Sequence, residues 1–186
     1  MRQHEAGMDD EHRLLLSARE GDHRAFAALV AGCDRRILGL AFDMTGNTED
    51  AQDVYQEALL AAYRALPRFR MDSQFSTWLY RIALRQALRF RSRQGRRPPP
   101  EEWWPEHADP PTPEDLALRG EFRSRLHLAL GGLSAQERSA FVLCHHQGFK
   151  IEEAAELMEC SVGSVKSYLF RGREKLRRQL GEYLEK

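Results

Sequence analysis

The chain has 186 residues, a formal net charge of zero at pH 7, and 42% hydrophobic against 30% charged residues, enough for one domain or two small ones. Its three cysteines, Cys33, Cys144 and Cys160, form no CxxC pair and argue against a disulfide framework. No apolar run approaches the roughly 18 residues that span a membrane, and the stretch MRQHEAGMDDEHRLLL has no signal-peptide core, so a cytoplasmic protein without membrane insertion is expected.

In chain order, Asp9–Arg19 reads as a short helix with acids at its start, where the helix dipole favours them. A longer helix is expected from about Asp22, with Phe26, Leu29, Val30, Cys33, Ile37, Leu40, Ala41 and Met44 on one stripe, which makes Cys33 a core residue. Gly46 and Asn47 break the chain, and Thr48 can cap the next helix, Glu49–Leu66. That helix buries Ala51, Val54, Tyr55, Ala58, Leu59 and Ala62 while turning Asp53, Gln56, Glu57 and Leu60 outward, as plain solvated surface or as a docking face for a basic partner.

After Pro67 and a loop at Arg68–Gln74 comes the most informative stretch. Phe75, Trp78, Leu79, Ile82, Ala83 and Phe90 mark one apolar face, while Arg81, Arg85 and Arg89 recur at every fourth position on another side. Like charges at that spacing destabilise a helix slightly, and Asp72 is the only acid between Arg64 and Arg97, so the anion that covers these arginines should lie outside the chain. Aromatic rings threaded through a basic helix suit single-stranded or melted nucleic acid better than a merely solvated face does.

Residues 94–113, QGRRPPPEEWWPEHADPPTP, hold all of the eight prolines except Pro67 and read as an acidic linker whose Trp103 and Trp104 should dock somewhere. Thr112, Pro113, Glu114 and Asp115 open a helix running to Gly131–Gly132, with Leu118, Phe122, Leu126 and Leu130 on one side. Ser134 and Glu137 form a capping box for the next helix, which stops near Gly148. A short helix at Ile151–Met158 carries the small residues Ala154 and Ala155. After a tight turn Ser161 caps a last helix, from Val162 to about Leu180, that buries Val165 and Leu169 and leaves Ser164, Lys166, Ser167, Arg171, Arg173 and Lys175 free. Helix, tight turn and basic second helix make a helix-turn-helix rather than a generic helical hairpin, with the second helix suited to the major groove.

Together DAQDVYQEALLAAYRALPRF at Asp50–Phe69, FSTWLYRIA at Phe75–Ala83, LSAQERSAFVL at Leu133–Leu143 and EEAAELMECSVGSVKSYLFRGREKLR at Glu152–Arg177 resemble the extracytoplasmic-function (ECF) group of bacterial sigma factors, in the sigma-70 family. The resemblance implies an all-α fold of two small helical domains joined by a Pro-rich acidic linker: a sigma-two-like bundle at 1–94, the linker at 95–113 and a sigma-four-like helix-turn-helix domain at 114–186. It implies no catalytic activity and no cofactor. The implied partners are core RNA polymerase, through its beta and beta-prime subunits, promoter DNA and an anti-sigma factor, with no stable homo-oligomer.

By the same resemblance Asp53, Gln56, Glu57 and Leu60 would dock the polymerase. Arg70, Met71, Asp72, Ser73, Gln74, Phe75, Trp78, Arg81, Arg85 and Arg89 would serve the minus-ten element, with a flipped base captured at the loop and Trp78 belonging to the core rather than acting as a wedge. Ser161, Ser164, Lys166, Ser167, Tyr168, Arg171 and Arg173 would hold the minus-thirty-five duplex. The chain departs from the common pattern at Arg85, where many relatives carry asparagine, and at Tyr168, in place of arginine. Lys150 replaces a small polar cap. Glu159 occupies a turn position often held by glycine, where a left-handed backbone would cost roughly 1–2 kcal/mol.

Two rival readings are a regulator that acts without polymerase and a metal or redox sensor built on Cys144, His145, His146 and Cys160. The first would need a dimer helix beyond Leu180, and none is evident. The second fails on geometry, because adjacent ligands on a helix point about 100° apart; core packing for Cys144 and Cys160 with surface histidines is expected instead. No glycine-rich phosphate loop or nucleophile motif supports catalysis.

Overall fold

The computed structural model describes residues 2–94 and 129–184, and all regular structure among them is helical. The helices are α1 (Arg2–Arg19), α2 (His23–Ala31), α3 (Asp34–Thr45), α4 (Thr48–Ala65), a 3-10 turn at Leu66–Arg68, α5 (Phe75–Gln94), α6 (Ala135–Phe141) continuing as a π-helical segment at Val142–His146, α7 (Ile151–Leu157) and α8 (Val162–Leu184). The expected linker, Trp103 and Trp104, and most of the expected helix through Leu118, Phe122 and Leu126 lie outside the described residues.

The predicted long helix from Asp22 is two helices. Asp22 caps α2 by accepting from the Arg24 and Ala25 N–H groups, and the helix ends at Gly32. Cys33 then takes a non-helical conformation, with its thiol against the Leu29 and Val30 carbonyls. The apolar stripe continues across this break because both helices bury their residues in the same core, where Cys33 sits as expected. At the next boundary the cap is Asn47 rather than Thr48: the Asn47 side-chain oxygen accepts from the Asp50 N–H at 2.8 Å, and Gly46 takes the left-handed conformation that closes α3.

Helix α5 is buried on more than the expected face. Phe75, Leu79 and Ala83 are buried as expected, while Tyr80, Leu84 and Ala87 are also buried. The additional cover comes from the C-terminal helices, whose Ala140, Val142, Leu143, Ala154, Ala155, Val165 and Leu169 share one hydrophobic core with α2–α5. A smaller core of Ala129, Leu133, Leu176 and Leu180 ties the start of the C-terminal segment to α8.

The capping box forms as expected, with the Glu137 N–H donating to Ser134 Oγ and the Ser134 N–H to Glu137 Oε2. Lys150 supplies no side-chain cap to α7; the Glu153 carboxylate accepts the Lys150 N–H at 2.7 Å instead. Ser161 caps α8 through the Ser164 N–H. Glu159 is left-handed, with φ of 53°, so the turn carries the strain anticipated for a non-glycine residue. Because Asn47 alone supplies the cap, Asn47→Ala should cost about 1 kcal/mol of stability and Thr48→Ala no more than a few tenths, compared by urea unfolding.

Candidate nucleic-acid and polymerase interfaces

Three groups of expected site residues occupy different places. On α4, Asp53, Gln56, Glu57 and Leu60 are all exposed, Leu60 at 56%. They line one side of a groove whose other side is Phe90 and Arg93 of α5. Sequence periodicity found the α4 side; Phe90 and Arg93 join it only through the packing of α5 against α4.

The second group surrounds the start of α5. Met71 is left-handed with φ of 57°, Ser73 Oγ is buried without a hydrogen-bond partner, and Arg70 and Asp72 are exposed 3.8 Å apart. Phe75 is only 2% exposed and forms the floor of this region rather than its surface. Trp78 is half-buried, its ring 4.7 Å from that of Phe69 and 5.8 Å from that of Phe75, as expected for a core residue.

Further along α5 the expectation of an external anion is corrected. Arg85 donates to Glu159 Oε1 at 2.5 Å, and Arg81 stands 3.6 Å from Glu156 Oε2, so two of the arginines face carboxylates on and just after α7. Arg91 donates to the Met44 carbonyl, and burial lowers the pKa of its guanidinium. Arg89 remains exposed. Local sequence could not show this pairing, because Glu156 and Glu159 lie in the other half of the chain.

The third group is on α8. Lys166 and Ser167 face outward, and Ser164 is half-buried with its hydroxyl 2.9 Å from that of Ser161. The expectation that Arg171, Arg173 and Lys175 are all free is corrected. Lys175 donates to Glu137 Oε2 at 2.6 Å, Arg171 Nε lies 3.8 Å from Glu137 Oε1, and Arg173 lies 2.9 Å from His145 Nε2. Burial raises the Glu137 pKa, but Lys175 and the Ser134 backbone and hydroxyl outweigh it, so the carboxyl stays below its ordinary range. Tyr168 is half-buried with the Arg171 guanidinium 5.3 Å above its ring. Sequence reasoning missed Phe170, which is 68% exposed; its position one turn beyond Lys166 on the same face was the available signal.

The two halves meet at Asp43 of α3, which is 8% exposed. Its Oδ2 accepts from Gln147 Nε2 at 2.6 Å and lies 2.9 Å from His146 Nδ1, while its carbonyl accepts from Arg138 Nε at 2.9 Å. Burial and the nearby Arg91 pull the Arg138 pKa down to about 9. Gln147 Oε1 also accepts from the Tyr80 hydroxyl, and Phe149 packs edge-on against Tyr80. His145 and His146 are both exposed, as expected, and each contacts a neighbour, Arg173 and Asp43 respectively. Cys144 and Cys160 are half-buried free thiols at the edge of the core, and no group of residues arranged for a metal is found among the described residues.

A helical bundle with a basic helix, packed against a helix-turn-helix unit, has the architecture of a DNA-binding protein. The sequence matches the Sigma-70 region 2 family over residues 29–97 and the Sigma-70, region 4 family over residues 123–176. It is 38% identical to the RNA polymerase sigma-H factor of Pseudomonas aeruginosa, covering 92% of this chain and 94% of that one. It is 37% identical to the ECF RNA polymerase sigma-E factor of Escherichia coli K12, covering 87% and 89% respectively. The fold matches CnrH, solved in complex with the cytosolic domain of CnrY, with a TM-score of 0.66 and 27% identity over 93% of this chain and 98% of that one. It also matches the Bartonella quintana sigma factor RpoE, solved with the anti-sigma factor NepR, with a TM-score of 0.64 and 23% identity over 84% and 96%.

The chain belongs to the ECF group of the sigma-70 family, factors that direct RNA polymerase to promoters. No described helix is long and apolar enough to cross a membrane.

The Asp43 hydrogen bond raises the His146 pKa; burial opposes this, and the Asp43 charge adds to it. The charged contact is complete below the ordinary histidine value near 6.5 and is lost as pH rises through the higher bound value. His146 should accordingly titrate above 6.5 by NMR, Asp43→Asn should bring it back down, and the protection of amides 142–147, relative to their intrinsic exchange rates, should fall as pH rises from about 6 to 8.

Proposed function

We propose that the chain works as two DNA-contacting domains, 1–94 and 114–186, joined by a tether at 95–113. The α4 groove docks the polymerase: Leu60 supplies the apolar anchor, while Asp53 and Glu57 select a basic partner surface. Arg70–Gln74 and α5 take the separated minus-ten strand, with Phe75 and Trp78 supporting the loop from below. Arg81 and Arg85 reach DNA by exchanging Glu156 and Glu159 for backbone phosphates, a trade that becomes possible only when the two halves part. Arg89 is already uncovered.

On α8, Lys166 and Ser167 meet the minus-thirty-five duplex directly, and Phe170 offers an apolar contact of the kind that recognises a thymine methyl. Ser161 and Ser164 lie at the N-terminal end of the helix, where positive dipole and hydroxyl donors suit a phosphate. Arg171 and Arg173 reach the backbone after leaving Glu137 and His145, and Tyr168 braces Arg171. An anti-sigma protein would act by holding the halves in the closed arrangement, in which Arg81 and Arg85 are engaged; CnrH was itself solved in complex with the cytosolic domain of CnrY.

The observation that carries this reading is the separation of three outward faces, two of them with an uncovered apolar side chain, Leu60 and Phe170. Run-off transcription with core polymerase tests it. Leu60→Asp should abolish core binding while leaving the fold intact by circular dichroism. Phe170→Ala should leave core binding unchanged and weaken promoter binding about tenfold, the equivalent of about 1.4 kcal/mol from a lost base contact. Normal transcription by both variants would refute the assignment.

A further inference from the structure

The loop before α5 is fastened at both ends by a single helix outside it. Arg19 near the end of α1 donates from Nη2 to the Pro67 carbonyl at 3.0 Å. Glu11, two turns earlier on α1, accepts the Phe75 N–H through Oε1, also at 3.0 Å. Between them Leu15 and Ala18 are buried in the core, which keys α1 to the bundle. Eight residues of helix set the two anchors about 12 Å apart along a stiff rod. The segment they frame includes the left-handed Met71 and the unpartnered Ser73 hydroxyl, neither of which favours this conformation by itself. An acid at the start of α5 also suits the helix dipole, and it comes from a residue 64 positions upstream.

We propose that Glu11 and Arg19 are positioning residues for minus-ten strand capture: α1 holds the Pro67–Phe75 loop in its binding shape before DNA arrives. The proposal rests on the reading of that loop as the minus-ten contact. Glu11 and Arg19 touch no DNA themselves. Their contribution is preorganisation, so its loss weakens binding of the separated strand and spares duplex recognition by α8.

The experiment uses the full chain bound to core polymerase and two probes, a fluorescent single-stranded oligonucleotide carrying the minus-ten element and a duplex carrying only the minus-thirty-five element. Glu11→Ala and Arg19→Met should each weaken oligonucleotide binding about tenfold, as loss of a charge-assisted hydrogen bond does, with duplex binding unchanged. Glu11→Gln keeps an acceptor oxygen and should bind within about twofold of the unaltered protein. The double variant should lose little more than either single one, because the loop is released once one end is free. Equal losses on both probes, or tight oligonucleotide binding by Glu11→Ala, would overturn the proposal. If the unaltered holoenzyme itself failed to bind the oligonucleotide, the minus-ten reading would fall first, and the two failures are thereby distinguished.

Discussion

A carboxylate shielded from water needs partners, and Asp43 finds its side-chain partners in the opposite half of the chain. Gln147 and His146 both meet its Oδ2, and Arg138 reaches the carbonyl of the same residue. This node fixes how the helix-turn-helix unit meets α3 and α5. From that placement follow the second buried face of α5, the edge-on packing of Phe149 on Tyr80, and the approach of Glu156 and Glu159 to Arg81 and Arg85. Exposed ion pairs such as Arg85–Glu159 add little stability on their own, so the apolar contact and the buried polar node hold the arrangement while the arginine pairs determine what it hides.

In the proposed function this gives the molecule two uses for one surface. Arg81 and Arg85 of α5 are paired internally while the halves are together and become available to phosphates when they separate. Glu137 plays a matching part beside α8, where it is buried under Lys175 and near Arg171. The polymerase face on α4 stays open in the closed arrangement, as does the outward face of α8 with Lys166, Ser167 and Phe170. Docking on the enzyme can therefore precede the separation that exposes Arg81 and Arg85.

Helical periodicity and capping chemistry made the all-α class, the helix-turn-helix and the outward faces of α4 and α8 legible in the residues. The break at Gly32–Cys33 was hidden because the apolar stripe runs through it in phase. The buried Tyr80, Leu84 and Ala87 and the partners of Arg81 and Arg85 were hidden for another reason: they depend on contacts with residues dozens of positions away, which no local pattern encodes. Asp43 did leave a trace, as a lone acid between the buried Phe42 and Met44, and Glu11 left none.

The central claim is that promoter opening requires the two halves to part at α5. A cleavable bismaleimide linking Arg85→Cys to Glu159→Cys, in a chain whose native cysteines are replaced by serine or alanine, tests this most directly through open-complex formation with core polymerase. The linked protein should bind core polymerase yet fail to open promoters, and cleavage of the link should restore opening to the level of the same double-cysteine chain never linked. Equal opening before and after cleavage would contradict the account.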